Sequence, residues 1–408
     1  MRILFISQWF DPEPTLKGVY FAQELARKGH TVQVITGYPN YPTGIVYPGY
    51  RIRGFMRETM DGISVLRVPL YPSHNQSKIQ RILNYSSFAF FATLAGIFTR
   101  FKPDVIYVYH PPMTAGAAGA LVSFFRRTPF ICDIQDLWPD TLKATGMLNN
   151  ERILAWIGCL CSWVYRRATI LITQSPGFLN RMRERNVPEA KLRLVYNWCD
   201  EQALSNRALT RPGVESTMAG KFNVVFAGNL GLAQGLGTIL DAAELLAASH
   251  PDIQLLLVGE GAAAESLKQQ ASARRIPNIA FVPHMPITEI GQVLARADAL
   301  LVHLRRDPLF SITIPSKTQA YLFAGRPILM GVEGDAAALV SKAQAGIHFT
   351  PEDPRSLADA VLQLHAMTPE ERTAMGERGR AFYNAQLSFE ISVDMTDQIL
   401  QSLVAQPG

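Results

Sequence analysis

The chain has 408 residues, 48% hydrophobic and 18% charged, a composition that excludes a disordered or fibrous protein and exceeds a comfortable single core, so two domains are expected. Residues 1–200 carry 23 Lys/Arg against 13 Asp/Glu and residues 201–408 carry 16 against 21, nets of +10 and −5 within the overall +5. The basic half points to an anionic partner; its arginines are scattered and no zinc-finger or RNA-binding signature is present, which argues against nucleic acid and leaves an anionic membrane surface.

The opening MRILFISQWF has one arginine and an apolar run too short for a secretory signal, so it reads as a first buried strand of a cytoplasmic protein. Cys132, Cys159, Cys161 and Cys199 form neither a CxxC pair nor a disulfide framework, which fits reduced, mostly buried thiols. In the first half, RILFIS (2–7), TVQVITG (31–37), ISVLRVP (63–69), DVIYVY (104–109), PFICDI (129–134) and ATILITQ (168–174) read as strands. Between the first two, residues 20–30 have helical spacing and stop at Lys-Gly. Residues 79–101 are almost uncharged between Arg81 and Arg100 and approach the length of a membrane span. Two readings stay open there. One is a buried crossover helix; the other rests one face in a membrane interface, with Lys78, Arg81, Arg100 and Lys102 on anionic head groups. Residues 151–169 have a similar aromatic face ending in Arg166-Arg167.

The second half repeats the rhythm with NVVFAGN (223–229), IQLLLVGE (253–260), IAFVPH (279–284), ALLVHL (299–304), PILMGV (327–332) and GIHFT (346–350), separated by helical stretches such as 238–250 and 262–275. Alternating strands and helices in each half predict an α/β protein of two doubly wound, Rossmann-like domains. The predicted domains are 1–205 and 206–385, divided by the polar, aperiodic stretch near 200–220, with a C-terminal helix at about 386–408 packing back on the first.

In such folds ligands sit at the carboxyl ends of the strands, so the loops there hold the candidates. Gly18 precedes a helix and would let amides approach an anionic group, or simply makes a turn. His110, at the end of the fourth predicted strand, is a proton shuttle or ligand, or a hydrogen-bonded structural histidine. DIQDLWPD (133–140) sets two carboxylates three apart at a strand tip, and Asp136 stands out because a buried carboxylate needs a partner or a function. GNLGLAQGLG (228–237) and VGEG (258–261) suit backbone approach to phosphate but match neither GxGxxG nor a P-loop. Arg305, Arg306 and Lys317 precede or open a helix whose start is Pro315-Ser316 and whose end is Gly325. A first-turn lysine is misplaced beside the positive end of a helix unless a diphosphate docks there. The alternative is a solvated Arg-Arg pair and a lysine pointing outward. No HExxH, Cys/His cluster or acidic DxD-like pair predicts a metal.

These stretches, in this order, resemble a family of known enzymes. FDPEPTLKG, GHTVQVITGYPNYPTG (29–44), DLWPD (136–140), VYNWCD (195–200), GNLGLAQGL (228–236), LLLVGEG (255–261) and PSKTQAYLFAGRPIL (315–329) are similar to the family 4 retaining glycosyltransferases of the GT-B fold. The nearest likeness is to the bacterial surface-polysaccharide branch, which includes colanic-acid and N-acetyl-fucosamine transferases. The resemblance implies two Rossmann-like domains facing across a cleft. The second would hold a nucleotide sugar, commonly UDP-linked, and the first an acceptor such as a polyprenyl-diphosphate-linked glycan. It also implies metal-independent transfer with no bound cofactor, at the inner face of the plasma membrane.

By position, Gly18 would lie near the phosphates and sugar, and Gln135-Asp136 would take the place of a His-Asp pair that contacts the transferred sugar. The donor would meet Gly228, Asn229, Gln234, Gly259, Glu260, Ser316 and Lys317. Two glutamates usual before the final Gly-x-Pro are Ile312 and Ala320 here, with Gln319 the nearest polar substitute; the usual Arg and Lys of the first loop are Asn229 and Gln234. Charge compensation then falls to Arg305, Arg306 and Lys317. A sugar-nucleotide 2-epimerase of the same fold and a non-catalytic nucleotide-sugar-binding scaffold are the competing expectations.

Overall fold

The protein is seen in a computed structural model that describes residues 1–73, 78–144, 146–205 and 212–404. The chain divides into two compact units, residues 1–195 with 393–408, and residues 196–392. The predicted boundary at 205/206 abuts residues 206–211, which lie outside the described residues, as do residues 405–408 of the predicted C-terminal helix.

The first unit is built on an eight-stranded sheet: β1 (Arg2–Ser7), β2 (Thr31–Gly37), β3 (Met56–Met60), β4 (Ile63–Val68), β5 (Val105–His110), β6 (Phe130–Ile134), β7 (Ile170–Thr173) and β8 (Leu192–Leu194), in the order β3-β4-β2-β1-β5-β6-β7-β8. All pairs are parallel except β3–β4. Strands β5, β6 and β7 are buried along their whole length, which is why they read as unbroken apolar runs rather than alternating ones.

Helices Lys78–Phe98, Met113–Arg126 and Glu151–Arg167 connect β4 to β5, β5 to β6, and β6 to β7. These steps run the same way across the sheet, so right-handed crossovers place the three helices on one face. Arg126 ties the first two together by donating to the carbonyls of Ile97, Thr99 and Phe101 at 2.8, 2.9 and 2.7 Å. The outer surface of this layer is apolar: Phe98 is 77% exposed and Trp156 67%, while the Arg167 guanidinium lies over the Phe124 ring, 5.1 Å from its centre. The side chain of Lys78 lies outside the described residues. Among the described residues no helix is long and apolar enough to cross a membrane.

The last helix, Phe389–Val404, begins in the second unit, and its residues from Val393 belong to the first. There Asp397 pairs with His30 at 2.7 Å and Asp394 with Lys28.

The second unit has a wholly parallel six-stranded sheet: β9 (Phe222–Ala227), β10 (Ile253–Val258), β11 (Ile279–Val282), β12 (Ala299–His303), β13 (Ile328–Gly331) and β14 (Gly346–His348), in the order β11-β10-β9-β12-β13-β14. Apolar clusters cover both faces, one including Val225, Leu256, Leu300 and Tyr321 and the other Val224, Leu255, Leu301 and Leu357. Each sheet changes direction of strand order beside its first strand, the place where loops splay apart to admit ligands.

Candidate functional sites

In the second unit the loops after β9, β10 and β12 meet the start of helix Ser316–Ala324. The helix ends as its sequence predicts, with Gly325 in the left-handed region at φ 71°. Tyr321, one turn after Lys317, fixes its position: its hydroxyl accepts from the Ala227 amide at 2.9 Å at the end of β9. Lys317 is thereby laid against Gly228, and its Nζ sits 4.8 Å from the centre of the Phe226 ring.

Gly228 (φ 136°) and Gly259 (φ 139°) adopt backbone conformations that L side chains rarely take. A Cβ on Gly259 would lie 2.0 Å from the Gly228 carbonyl oxygen, and one on Gly228 would lie 2.9 Å from Lys317 Nζ. The two loops thus touch backbone to backbone, with the ammonium beside them. Among the described residues no carboxylate pairs with Lys317, and burial pulls its pKa down to about 8. Its helix carries no acidic residue in the first turn and no side-chain cap; the Thr318 amide donates to the Pro315 carbonyl at 2.8 Å, and among the described residues the Ser316 and Lys317 amides have no backbone acceptor.

The other predicted donor contacts divide. Asn229, Glu260, Ser316 and Arg306 surround these loops, and all four are exposed. Arg305 is exposed too, stands beside Gly235 at the far end of the loop, and makes a 3.5 Å ion pair with Glu352, so its charge is already shared. Glu352 also accepts from the Arg306 amide at 2.8 Å. Gln319 does not face outward: its side chain is buried, with the carbonyl oxygen unpartnered, because its helix turns that position into the core. The Gln234 side-chain oxygen is buried and unpartnered as well.

His303, not singled out from the sequence, organises this region. Its Nδ1 lies 2.6 Å from the Gln234 carbonyl and its Nε2 accepts from the Glu352 amide at 3.0 Å, which fixes one neutral tautomer. Burial lowers its pKa and keeps it neutral. Its signal in the sequence is its place at the end of a buried strand.

In the first unit the tips of β5 and β6 hold a buried polar cluster. Lys17, from the loop after β1, pairs with Asp133, which also accepts from Tyr107 at 2.5 Å and from the Gln135 side-chain amide at 2.6 Å. Lys17, Tyr107 and Asp133 are fully buried. Gln135 is therefore turned toward Asp133 rather than outward, a departure from its predicted sugar contact. His110 departs likewise: its ring is fully enclosed, neither nitrogen has a partner among the described residues, and burial lowers its pKa to about 4. A neutral, enclosed ring is not placed to exchange protons with a bound substrate. At Gly18 the helix Val19–Arg27 begins, and the Asp11 carboxylate already accepts from the Val19 amide at 2.6 Å. The protein supplies its own anion there.

Asp136 is half-buried at the tip of β6. Among the described residues its carboxylate has no hydrogen-bond or ion-pair partner, and burial raises its pKa. Trp138 follows it, edge-on to Tyr85 with ring centres 6.2 Å apart.

Two doubly wound units, the second with glycine loops beside a lysine at a helix start, define a protein of the GT-B fold. Known proteins agree. Residues 19–198 match the family model described as a glycosyl transferase 4-like domain, and residues 221–367 match glycosyl transferases group 1. The chain is 27% identical over 347 residues to an Escherichia coli K12 protein named "Putative colanic acid biosynthesis glycosyl transferase WcaI", covering 80% of this chain and 82% of that one. Its fold is similar to sucrose-phosphate synthase from Thermosynechococcus elongatus (TM-score 0.73, 16% identity, 99% of both chains). It is also similar to Anabaena HepE in complex with UDP-glucose (TM-score 0.67, 17% identity, 100% of both chains). The chain belongs to the family 4 glycosyltransferases and is a glycosyltransferase of the GT-B fold.

Proposed function

We propose that this enzyme transfers a sugar, with retention at the anomeric carbon, from a UDP-linked donor to a polyprenyl-diphosphate-linked glycan in bacterial surface-polysaccharide synthesis. The second unit holds the donor and the first the acceptor. The observation that carries this reading is Lys317, a cation with no counter-ion among the described residues, beside two glycine-lined loops. As the bond from the anomeric carbon to the donor diphosphate breaks, negative charge grows on the leaving oxygens. The Lys317 ammonium and the first amides of its helix stabilise that charge without a metal ion. Asp136, partnerless on the first unit, is the residue we assign to the transferred sugar. Two similar proteins support the reading: HepE is seen in complex with UDP-glucose, and WcaI is named for colanic acid biosynthesis.

The exposed aromatic layer of the basic first unit supports a peripheral position on anionic membrane, where such an acceptor resides. The test is incubation with a panel of nucleotide sugars, with and without bacterial membrane lipid. Acceptor-dependent release of UDP is expected. Epimerised nucleotide sugar without acceptor points to a 2-epimerase, and binding without turnover points to a scaffold; either result contradicts the proposal.

A further inference from the structure

The second unit contains a cavity of about 410 Å³ between the starts of helices Gly237–Ala247 and Ala264–Ala273. Leu236 and Leu267, which line it, pack in the apolar cluster of Val224, Leu255 and Leu301. Tyr321 and Leu322, from the helix that Lys317 opens, pack in the cluster of Val225, Leu256 and Leu300. Successive strand residues face opposite sides of a sheet, so the cavity and the Lys317 helix belong to opposite faces.

The polar groups along this cavity include several unused donors. Helix Gly237–Ala247 starts with no side-chain cap and no acidic residue in its first turn. Its Thr238 and Ile239 amides donate to the Gly235 and Leu236 carbonyls at 3.2 and 3.1 Å, and among the described residues the Gly237 amide has no backbone acceptor. Thr238 is only 9% exposed and lines the cavity, yet its hydroxyl has no hydrogen-bond partner among the described residues. Opposite it, the Ser266 hydroxyl accepts from the Gln270 amide at 3.0 Å, which leaves its own hydrogen to donate. The two carboxylates in the lining are already held. Asp241 accepts from Arg274 at 2.8 Å, and Glu352 accepts from the Arg306 amide at 2.8 Å and pairs with Arg305 at 3.5 Å.

Gly237 adds an observation of a different kind. Its φ lies outside the left-handed region, and a Cβ there would meet nothing within 4 Å, so neither backbone nor packing asks for glycine. Glycine is also a poorer helix former than alanine. What its missing side chain leaves is open space beside the free amide. A helix start of this kind, with a buried hydroxyl and a guanidinium beside it, suits a phosphate. A phosphate alone fills little of 410 Å³, and Ser266, Gln270 and Asp241 offer hydrogen bonds to a polyol. No aromatic side chain lines the cavity to stack on a nucleobase. We propose that this cavity binds a sugar phosphate, with the phosphate on the Gly237 amide, the Thr238 hydroxyl and Arg305, and the sugar between Ser266, Gln270 and Asp241. The site is additional to the donor site assigned above and does not depend on it.

The test is calorimetric titration of the full chain with glucose 1-phosphate, N-acetylglucosamine 1-phosphate, glucose and inorganic phosphate, each with and without excess UDP. At least one sugar phosphate is expected to bind about tenfold or more tightly than glucose or phosphate, with the same affinity whether or not UDP is present. Gly237→Leu, whose side chain enters the open space, and Thr238→Val each weaken that binding about tenfold, whereas Thr238→Ser and Lys317→Met leave it near the wild-type value. Melting temperature and UDP affinity of Gly237→Leu and Thr238→Val stay as in wild type, which shows that they are folded. Failure of both sugar phosphates to bind, their displacement by UDP, or wild-type binding by both Gly237→Leu and Thr238→Val overturns the proposal. A wild-type chain that binds a sugar phosphate as expected but not UDP overturns the donor reading instead, and leaves this cavity assignment supported.

Discussion

Lys317 and Gly228 lie against each other: a methyl group on Gly228 would stand 2.8 Å from Lys317 Cε, and the φ of 136° at that position is one that L side chains rarely adopt, so both the contact and the backbone favour glycine there. The contact has a steric half and an electrostatic half. Glycine lets the loop backbone approach the lysine, and the lysine has no counter-ion among the described residues, which is the basis for assigning an anion there.

Gly228→Ala is accordingly expected to cost about 1–3 kcal/mol of stability from its φ of 136° alone, and more where Lys317 is pushed aside. UDP affinity falls with it. Urea unfolding beside UDP titration checks both effects, and an alanine variant with wild-type values for the two contradicts the tight contact.

The Lys17–Asp133 pair makes a prediction of the opposite kind. Lys17→Met leaves a buried carboxylate without its cation and is expected to cost about 3–5 kcal/mol. Combining it with Asp133→Leu recovers a large part of that loss, because the stranded charge is gone. Denaturant melts of the single and double variants measure the difference.

Asp136 behaves differently from Asp133 although the two are three residues apart. Its folded pKa is raised by burial, so the folded state binds a proton more readily than the unfolded one, and the destabilising contribution is present above the folded pKa and fades as pH falls through it. Asp136→Asn is therefore expected to leave stability at neutral pH unchanged or slightly higher. Turnover falls by roughly a hundredfold or more, in line with loss of a positioned carboxylate. A stable variant with wild-type turnover removes Asp136 from the reaction.

The helix layer of the first unit predicts membrane attachment that weakens with salt. Full-length protein is expected to sediment with phosphatidylglycerol vesicles at low ionic strength and much less with phosphatidylcholine vesicles. Phe124→Ser with Phe125→Ser, both exposed side chains, reduces that binding without affecting UDP affinity. Indifference of the wild type to anionic vesicles contradicts the peripheral position.

Most of this architecture is legible in the sequence because central parallel strands are buried on both faces and so appear as uninterrupted apolar runs. The strands missed are the edges. In β3, MRETM alternates polar residues, and its clearest sign is the Asp61-Gly62 turn, where φ is 48° and 85° and the chain reverses into β4. In β8 only three residues pair.

Lys317 is legible because a cation in a first helical turn contradicts the helix dipole and asks for a reason. Lys17 and Asp133 are not, since their pairing spans 116 residues and depends on which loop comes to rest over β5 and β6. His303 escapes notice for the same reason: nothing local tells which carbonyl and which amide its two ring nitrogens meet. Gln135 shows the converse failure. Position along the chain placed it at the site, and the buried Asp133 two residues away took its amide.

The most direct test is UDP affinity as a function of pH in the wild type, Lys317→Met and Lys317→Arg. Burial holds the free Lys317 pKa near 8, and a bound diphosphate raises it, so binding takes up a proton as pH passes that value. The wild-type affinity should hold below about pH 8 and decline by roughly tenfold per pH unit at most above it. Lys317→Met should bind about ten- to a hundredfold more weakly at neutral pH with no such decline, and Lys317→Arg should resist it. A methionine variant with wild-type affinity and the same pH profile would contradict the central claim that Lys317 meets the donor diphosphate.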